Sequence, residues 1–455
     1  MSSAVPIPAE SGEMEHANTP LLQGSISMVS MERNPIERNP IERFPGIISM
    51  VPNFYRELSP CSFTPQVVSV GPLHHNDANV SRFENQKNAF INLVLNEIVR
   101  CLHITQDQVK TECETKVRHK LNIIKSRYIG IPSSCSDSEL VKMIATDACF
   151  ILSFLHAVRE ELLILKTIGL LHNRILLDMV LIENQIPFFV LEDIFQCTFG
   201  KTKPTGYLYD LLFQLQKFCN IYHVDSSINH RPPPYDHILG FLHNSYQNPA
   251  NGQSDHSGQS DHSEQVFNGH SVVELDRSGV GFSKIHNAEW PMAMELEFSR
   301  SVCFPLSWSK PTLKMPALYL NDYTELIIRN LCIYEHSSPV QMCITSYMNA
   351  LNKLIDTPED VACLVKSQVL VNSLGSQEKA ATLINDVLKE FPLKEFYYRR
   401  QWEQMDEYYK SYWPNLIAEL KRKYFNNPWS IIALIAGIIL FVLTAVQTVY
   451  AVKAG

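Results

Sequence analysis

From Trp429 to Val452 the chain reads WSIIALIAGIILFVLTAVQTVYAV, twenty-four residues without a charge. No other stretch restricts the fold as strongly. As a helix it extends about 36 Å, enough to cross a hydrocarbon layer of about 30 Å. Trp429 and Tyr450 stand near its two ends, where amphipathic rings favour the headgroup boundary. The segment therefore predicts a single C-terminal transmembrane helix at 429–452. A soluble core rarely supplies so long an uncharged run. Inside it, Ala433 and Gly437 form a small-xxx-small pair that lets a second helix approach, and Gln447 carries an amide able to bond across such a pair. Lipid-facing Ala and Gly are the simpler reading of the same residues.

The flanks set the expected orientation. Lys421, Arg422 and Lys423 precede the span and only Lys453 follows it, which places the N-terminal side in the cytosol. The first twenty residues have neither the basic region nor the apolar core of a secretory signal. The expectation is a tail-anchored, single-pass protein, at the plasma membrane before other membranes, with a cytosolic body. One sequon, Asn79-Val80-Ser81, points to the opposite side.

Residues 1–46 are polar and rich in Pro and Ser, with ERNPIERNPIERFP repeating every five residues. Pro at that spacing forbids a continuous helix, so a disordered tail is expected. A body spans 47–425. Capping-box patterns at Ser81–Glu84 and Ser136–Glu139 each precede apolar residues at helical spacing. Further helical segments are expected from about Asn173, over 207–222, and from Thr324 to about Tyr412 with loops near Ser337 and Leu374. Short extended runs are expected in SPCSFTPQVVSVGPLHH, and strands in VVELDRSGVGFSK, MELEFSRSVCFPL and LKMPALYL. Residues 244–271 contain the repeat GQSDHSGQSDHS and read as a disordered insertion. The fold class is mainly α with a small β portion (α+β). Residues 397–425, rich in aromatic and basic side chains, read as a helical stalk to the membrane, with attachment to the membrane surface as the alternative.

Few motifs in the chain carry chemistry. A net charge of −8 with scattered basic residues argues against nucleic-acid binding. The eleven Cys show no closely spaced ligand pairs, so buried reduced thiols are expected and no metal or cofactor site. Gly200-Lys201-Thr202 lacks the earlier Gly of a phosphate-binding loop, and Gly279-Val280-Gly281 lacks a third Gly. His74 and His75 are neighbours whose side chains diverge, and His256 and His262 lie in the polar repeat; none suggests a metal.

One stretch remains. LIENQIPFFVL places Glu183, Asn184 and Gln185 among apolar residues, two places before Pro187. A catalytic carboxylate needs a partner acid, base or nucleophile, and only Asp147 or Asp178 is available to an enzyme using Glu183. The structural reading is preferred. In a continuous helix Pro187 would clash with the Glu183 carbonyl and free backbone groups there. Asn184 and Gln185 carry donors for them, and a satisfied buried network fixes one packing arrangement.

Several blocks, ISMVPNFYRELSPCSFTPQVVSVGPLHH, RFENQK, DACFILSFL, LLDMVLIENQIPFFVLE, LIIRNLCIYE and SYMNALNKLIDTPEDVACLV among them, resemble in their order the plant family named domain of unknown function 247. The resemblance covers roughly 47–452. It implies a plant protein with a C-terminal anchor and no catalytic residues to carry over. Some relatives are implicated in pollen self-incompatibility, as recognition partners of small secreted proteins, which would favour an extracellular body. The expected function is thus that of a membrane-anchored, non-enzymatic protein whose body binds an unidentified protein partner.

Overall fold

The computed structural model describes residues 48–223, 235–248, 269–286, 290–303, 306–392, 395–410 and 428–454. The fold is mostly helical with a small strand portion. The expected disordered tail at 1–46 and residues 249–268 of the expected insertion lie outside the described residues. The flanks of that insertion are folded: Asn244 is buried at the end of a helix, and the Asn248 N–H donates to Gln341 Oε1 at 2.8 Å.

The body is organised around α5 (Asp137–Arg159). Ser136 opens it with a capping box, accepting from the Glu139 N–H while the Glu139 carboxylate accepts from the Ser136 N–H. Its 23 residues contain neither Gly nor Pro, and most of its surface is buried. It is long and apolar enough to cross a bilayer, yet 83% of its apolar window lies inside the body, so it is a core helix. Around it pack α2 (Glu84–Leu102), α3 (Gln106–His119), α8 (Phe188–Cys197) and α9 (Tyr207–Cys219). The α2–α5 seam is aromatic: Phe90 meets Phe150 and Phe154 edge-to-face at 5.8 and 5.4 Å.

A second helical group continues the same core. In it α12 (Thr324–Ser337) packs on α10 (Ile238–Asn244), α13 (Cys343–Leu354) and α15 (Gln377–Val387), and α14 (Pro358–Lys366) packs on α11 (Val272–Ser278) and α15. The strands are few. β1 (Ile48–Ser49) pairs parallel with β2 (Tyr128–Ile129), and β6 (Leu318–Leu320) with β7 (Leu370–Asn372). The largest sheet has the order β3 (Gly281–Lys284), β5 (Leu306–Met315), β4 (Glu295–Cys303), parallel then antiparallel.

Several expectations are corrected. Ser81 does not cap α2: it opens a 3-10 turn, its hydroxyl donates to the Ala78 carbonyl, and Glu84 pairs with Lys87 at 2.7 Å. Val272–Ser278 is a helix and not a strand, because Ser271 and Glu274 form a capping box there and Gly279, at φ 100°, ends it. SPCSFTPQVVSVGPLHH, where short extended runs are expected, holds a 3-10 turn followed by irregular backbone. The segment from Asn173 into ENQIPFF is not one kinked helix. The helix α7 (Leu171–Asp178) stops, residues 179–187 form a buried loop, and Pro187 stands at the N-cap of α8, where its missing N–H costs nothing. The first part of the expected stalk is instead packed on the body: α16 (Arg399–Lys410) buries Trp402 and Met405, and Tyr398 before it donates to the Met292 carbonyl at 2.7 Å. Residues 411–427 lie outside the described residues. The C-terminal residues form α17 (Pro428–Ala454), 27 residues long, with Ile435–Tyr450 as its continuous described apolar stretch.

Candidate functional site

The irregular segment 63–77 crosses the buried loop 179–187, and its backbone finds side-chain partners instead of a strand. The Asp178 carboxylate accepts from the N–H groups of Gln66, Val67 and Val68 at 2.7 to 3.1 Å. Asn184 Oδ1 accepts from the Val70 N–H at 2.6 Å, and its Nδ2 donates to the Val68 carbonyl at 3.0 Å and the Asp178 carbonyl at 2.8 Å. Its amide thus meets the segment as a peptide group of a neighbouring strand would. The Gly71 N–H donates to Asp147 Oδ2 at 2.8 Å. Buried backbone groups must be paired, and here side chains do it, those of Asp178, Asn184 and Asp147 among them.

Glu183 stands at the centre, its side chain fully buried. It accepts from the Val51 N–H and the Arg56 guanidinium on one oxygen. Its other oxygen lies 2.7 Å from His74 Nε2, and His74 Nδ1 lies 2.7 Å from Asp77 Oδ2. Burial pushes the Glu183 carboxyl up, but the bonds from His74, Arg56 and Val51 outweigh it and hold it below the usual range. Burial pulls His74 down, yet its carboxylate on each ring nitrogen raises it overall. The arrangement is an imidazolium donating to both. Gln185 donates to the Met179 and Leu181 carbonyls at 2.8 Å and accepts from the Leu239 N–H at 3.2 Å.

The network extends to α2 and α5. Lys87 Nζ, fully buried, reaches Asp147 Oδ1 and the Ser69 carbonyl at 2.6 Å. Burial lowers the Lys87 ammonium, but Asp147 and Glu84 raise it overall, so it stays charged. Beside this group opens a cleft of about 590 Å³ lined by His75, Glu84, Asn88, Glu139, Lys142 and Asp147, among others. Burial pushes the Glu84 carboxyl up there.

The structure thus brings Glu183, Asn184 and Gln185 into one network with both aspartates weighed as catalytic partners. Asp178 is occupied by backbone N–H groups, and Asp147 by Gly71 and Lys87. Pro187 lies outside the network, at the start of α8. Ala433, Gly437 and Gln447 are far along the sequence on α17, all exposed. Lys201 of the incomplete phosphate loop pairs with Glu112 at 2.5 Å. Sequence reasoning missed Arg56, Lys87 and the role of His74, because each is separated by tens of residues from its partner. It also missed a second buried cluster, His243, Glu335 and Cys343, whose members come from three helices. The described cysteines are free thiols.

Comparison with known proteins agrees with the blocks that meet here. A UPF0481 protein of Arabidopsis thaliana is 22% identical over 420 residues, covering 89% of this chain and 86% of the relative. A putative UPF0481 protein of the same plant is 24% identical over 472 residues, covering 85% of this chain and 87% of the relative. No solved structure matches. The family model for domain of unknown function 247, described as a plant protein of unknown function, matches residues 48–443, and the chain belongs to that family.

Proposed function

We propose that this is a single-pass membrane protein whose helical body binds a protein partner and turns over no substrate. The observation that carries the reading is α17. Its described side chains are exposed, and they include Ile432, Ile435, Ile438, Ile439, Leu440, Phe441, Val442 and Leu443. Water disfavours such a surface by roughly 25 cal/mol per Å², whereas lipid accepts it. Thr444 and Thr448 return their hydroxyls to the carbonyls of Leu440 and Thr444 at 2.8 Å, as hydroxyls in lipid must. Trp429 and Tyr450 stay near the ends of the helix, suited to the two interfaces. The basic run Lys421–Lys423 favours a cytosolic body; the self-incompatibility resemblance favours an extracellular one. Ala433, Gly437 and Gln447 offer the helix a contact face for a second helix.

The reading of the body rests on Glu183. Both its oxygens accept hydrogen bonds and its side chain is fully buried, which leaves a substrate no open approach to it. An alternative enzyme using Glu183 would need that network to open.

The test is fractionation of the full chain. Sedimentation with membranes, resistance to alkaline carbonate, and release only by detergent are expected. Full-length protein left in the supernatant without detergent would refute the anchor. A sequon appended after Gly455 then reads the orientation: glycosylation there places the body in the cytosol. Proximity labelling from the body identifies the partner, and a labelling pattern unchanged on removing the body would refute recognition by it.

A further inference from the structure

Three buried side chains outside the Glu183 network meet at the start of α13. His243 lies in α10, Glu335 near the end of α12, and Cys343 is the first residue of α13. His243 Nε2 is 2.8 Å from Glu335 Oε1. Cys343 Sγ is 3.4 Å from that oxygen and 3.6 Å from that nitrogen. From this geometry we propose that His243, Glu335 and Cys343 bind a divalent transition-metal ion, with zinc as the best match to one nitrogen, one oxygen and one sulfur donor.

The separations suit the ion. Tetrahedral zinc, with bonds of roughly 2.0 to 2.3 Å, holds its donors about 3.3 to 3.6 Å apart. Both sulfur separations already lie in or beside that range. The His243–Glu335 contact, now a hydrogen bond, opens by about half an ångström on binding. Charge agrees as well. The His243 and Glu335 side chains are fully buried, and Cys343 is too. Two positive charges on the ion balance one carboxylate and one thiolate, leaving the buried site neutral, with His243 as the neutral ligand. Cys343 Sγ donates its proton toward Glu335 Oε1, and the ion displaces that proton on binding.

The surroundings hold the donors in place. The Ile344 and Thr345 N–H groups each donate to the Glu335 carboxylate at 2.8 Å, fixing its plane. The Gln247 amide lies 3.4 Å from His243 Nδ1, the nitrogen a metal on Nε2 leaves free. The atom facing it is Gln247 Nε2; turned end for end, the amide would present its oxygen to a protonated Nδ1 and fix the ring as an outer partner. The protein supplies three of the ion's four donors. Since the donors belong to α10, α12 and α13, the ion would join three helices and serve as a structural clasp.

The test uses the full chain purified in mild detergent without chelator. Expected are about one equivalent of zinc per chain and, after cobalt(II) replaces it, a thiolate-to-cobalt charge-transfer band. Both should be lost in Cys343→Ser, whose metal-free melting temperature should match that of the metal-free parent. Equal zinc in parent and variant, or a cobalt complex without the thiolate band, would leave the trio as a hydrogen-bonded cap on α13 and overturn the proposal. If Cys343→Ser does not fold, the parent decides alone: the thiolate band supports the site and its absence refutes it.

Discussion

His74 Nε2 lies 2.7 Å from Glu183 Oε2, across 109 residues of sequence. The contact closes an irregular segment onto a buried loop, and Arg56 and Asp77 complete the charge balance around it. A buried pair of this kind is costly to break from one side, since the remaining charge is left uncompensated.

Glu183→Gln therefore lowers folding stability by about 3 to 5 kcal/mol. Urea unfolding of the full chain in detergent measures it. An undiminished midpoint, with a turnover activity abolished, would favour the enzyme reading instead.

Asn184→Asp costs at least as much as Asn184→Ala. Alanine leaves the Val68 carbonyl and the Val70 N–H without their partner, at about 1 to 3 kcal/mol for each unsatisfied group, and leaves the Asp178 carbonyl only the Leu181 N–H at 3.4 Å. Aspartate restores the acceptor for Val70 but presents a carboxylate to two carbonyls. Thermal melts of the two variants compare them, and an aspartate variant near parental stability would contradict the amide's assigned role.

The pH dependence follows from two opposite shifts. Glu183 is held below its ordinary value of 4.5, so its contribution is complete above that pH and is lost as pH falls through the lower folded value. His74 is raised above its ordinary 6.5, so its contribution is complete below that pH and is lost as pH rises through the higher folded value. The stability gap between the parent and Glu183→Gln should be widest between those two ordinary values and narrow on either side. Urea midpoints over a pH series check this, and a flat gap would show that the pair does not titrate with folding.

Gly71→Ala should destabilise by about 1 to 3 kcal/mol. Gly71 has φ +76°, and an added Cβ would sit 2.8 Å from the Gln185 carbonyl oxygen and 3.0 Å from the Tyr128 hydroxyl. Tyr128→Phe in the same chain removes the second contact but also the hydrogen bond its hydroxyl gives the Gln185 carbonyl at 2.9 Å, so Gly71→Ala should still lower stability when measured against Tyr128→Phe alone. Equal melting temperatures for the double variant and Tyr128→Phe would show that the hydroxyl, and not the backbone, sets the limit.

The helices that were legible carry their signal locally. Ser136 and Glu139 announce α5 because capping acts over three residues, and its apolar spacing follows from the helical period. Val272–Ser278 shows the same logic misread: a short, punctuated and partly alternating run suggests a strand, while Ser271 and Glu274 three residues apart decide the helix. Glu183, Asn184 and Gln185 stood out because polar groups in an apolar run must be satisfied. Their partners were not legible. Val51, Arg56, Val68, Val70 and His74 are more than a hundred residues away, and nothing in periodicity links them.

By itself the sequence determined the helical class, the capped start of α5, and an uncharged C-terminal run, since propensity, capping and hydropathy are properties of neighbouring residues. Only the tertiary structure decided that residues 66–71 are held by Asp147, Asp178 and Asn184 instead of by a strand. It also decided that Pro187 begins a helix and that His243, Glu335 and Cys343 share one buried point. The reason is physical: each of those outcomes depends on which distant groups remain unpaired once the core excludes water, and that is a property of the packed chain alone.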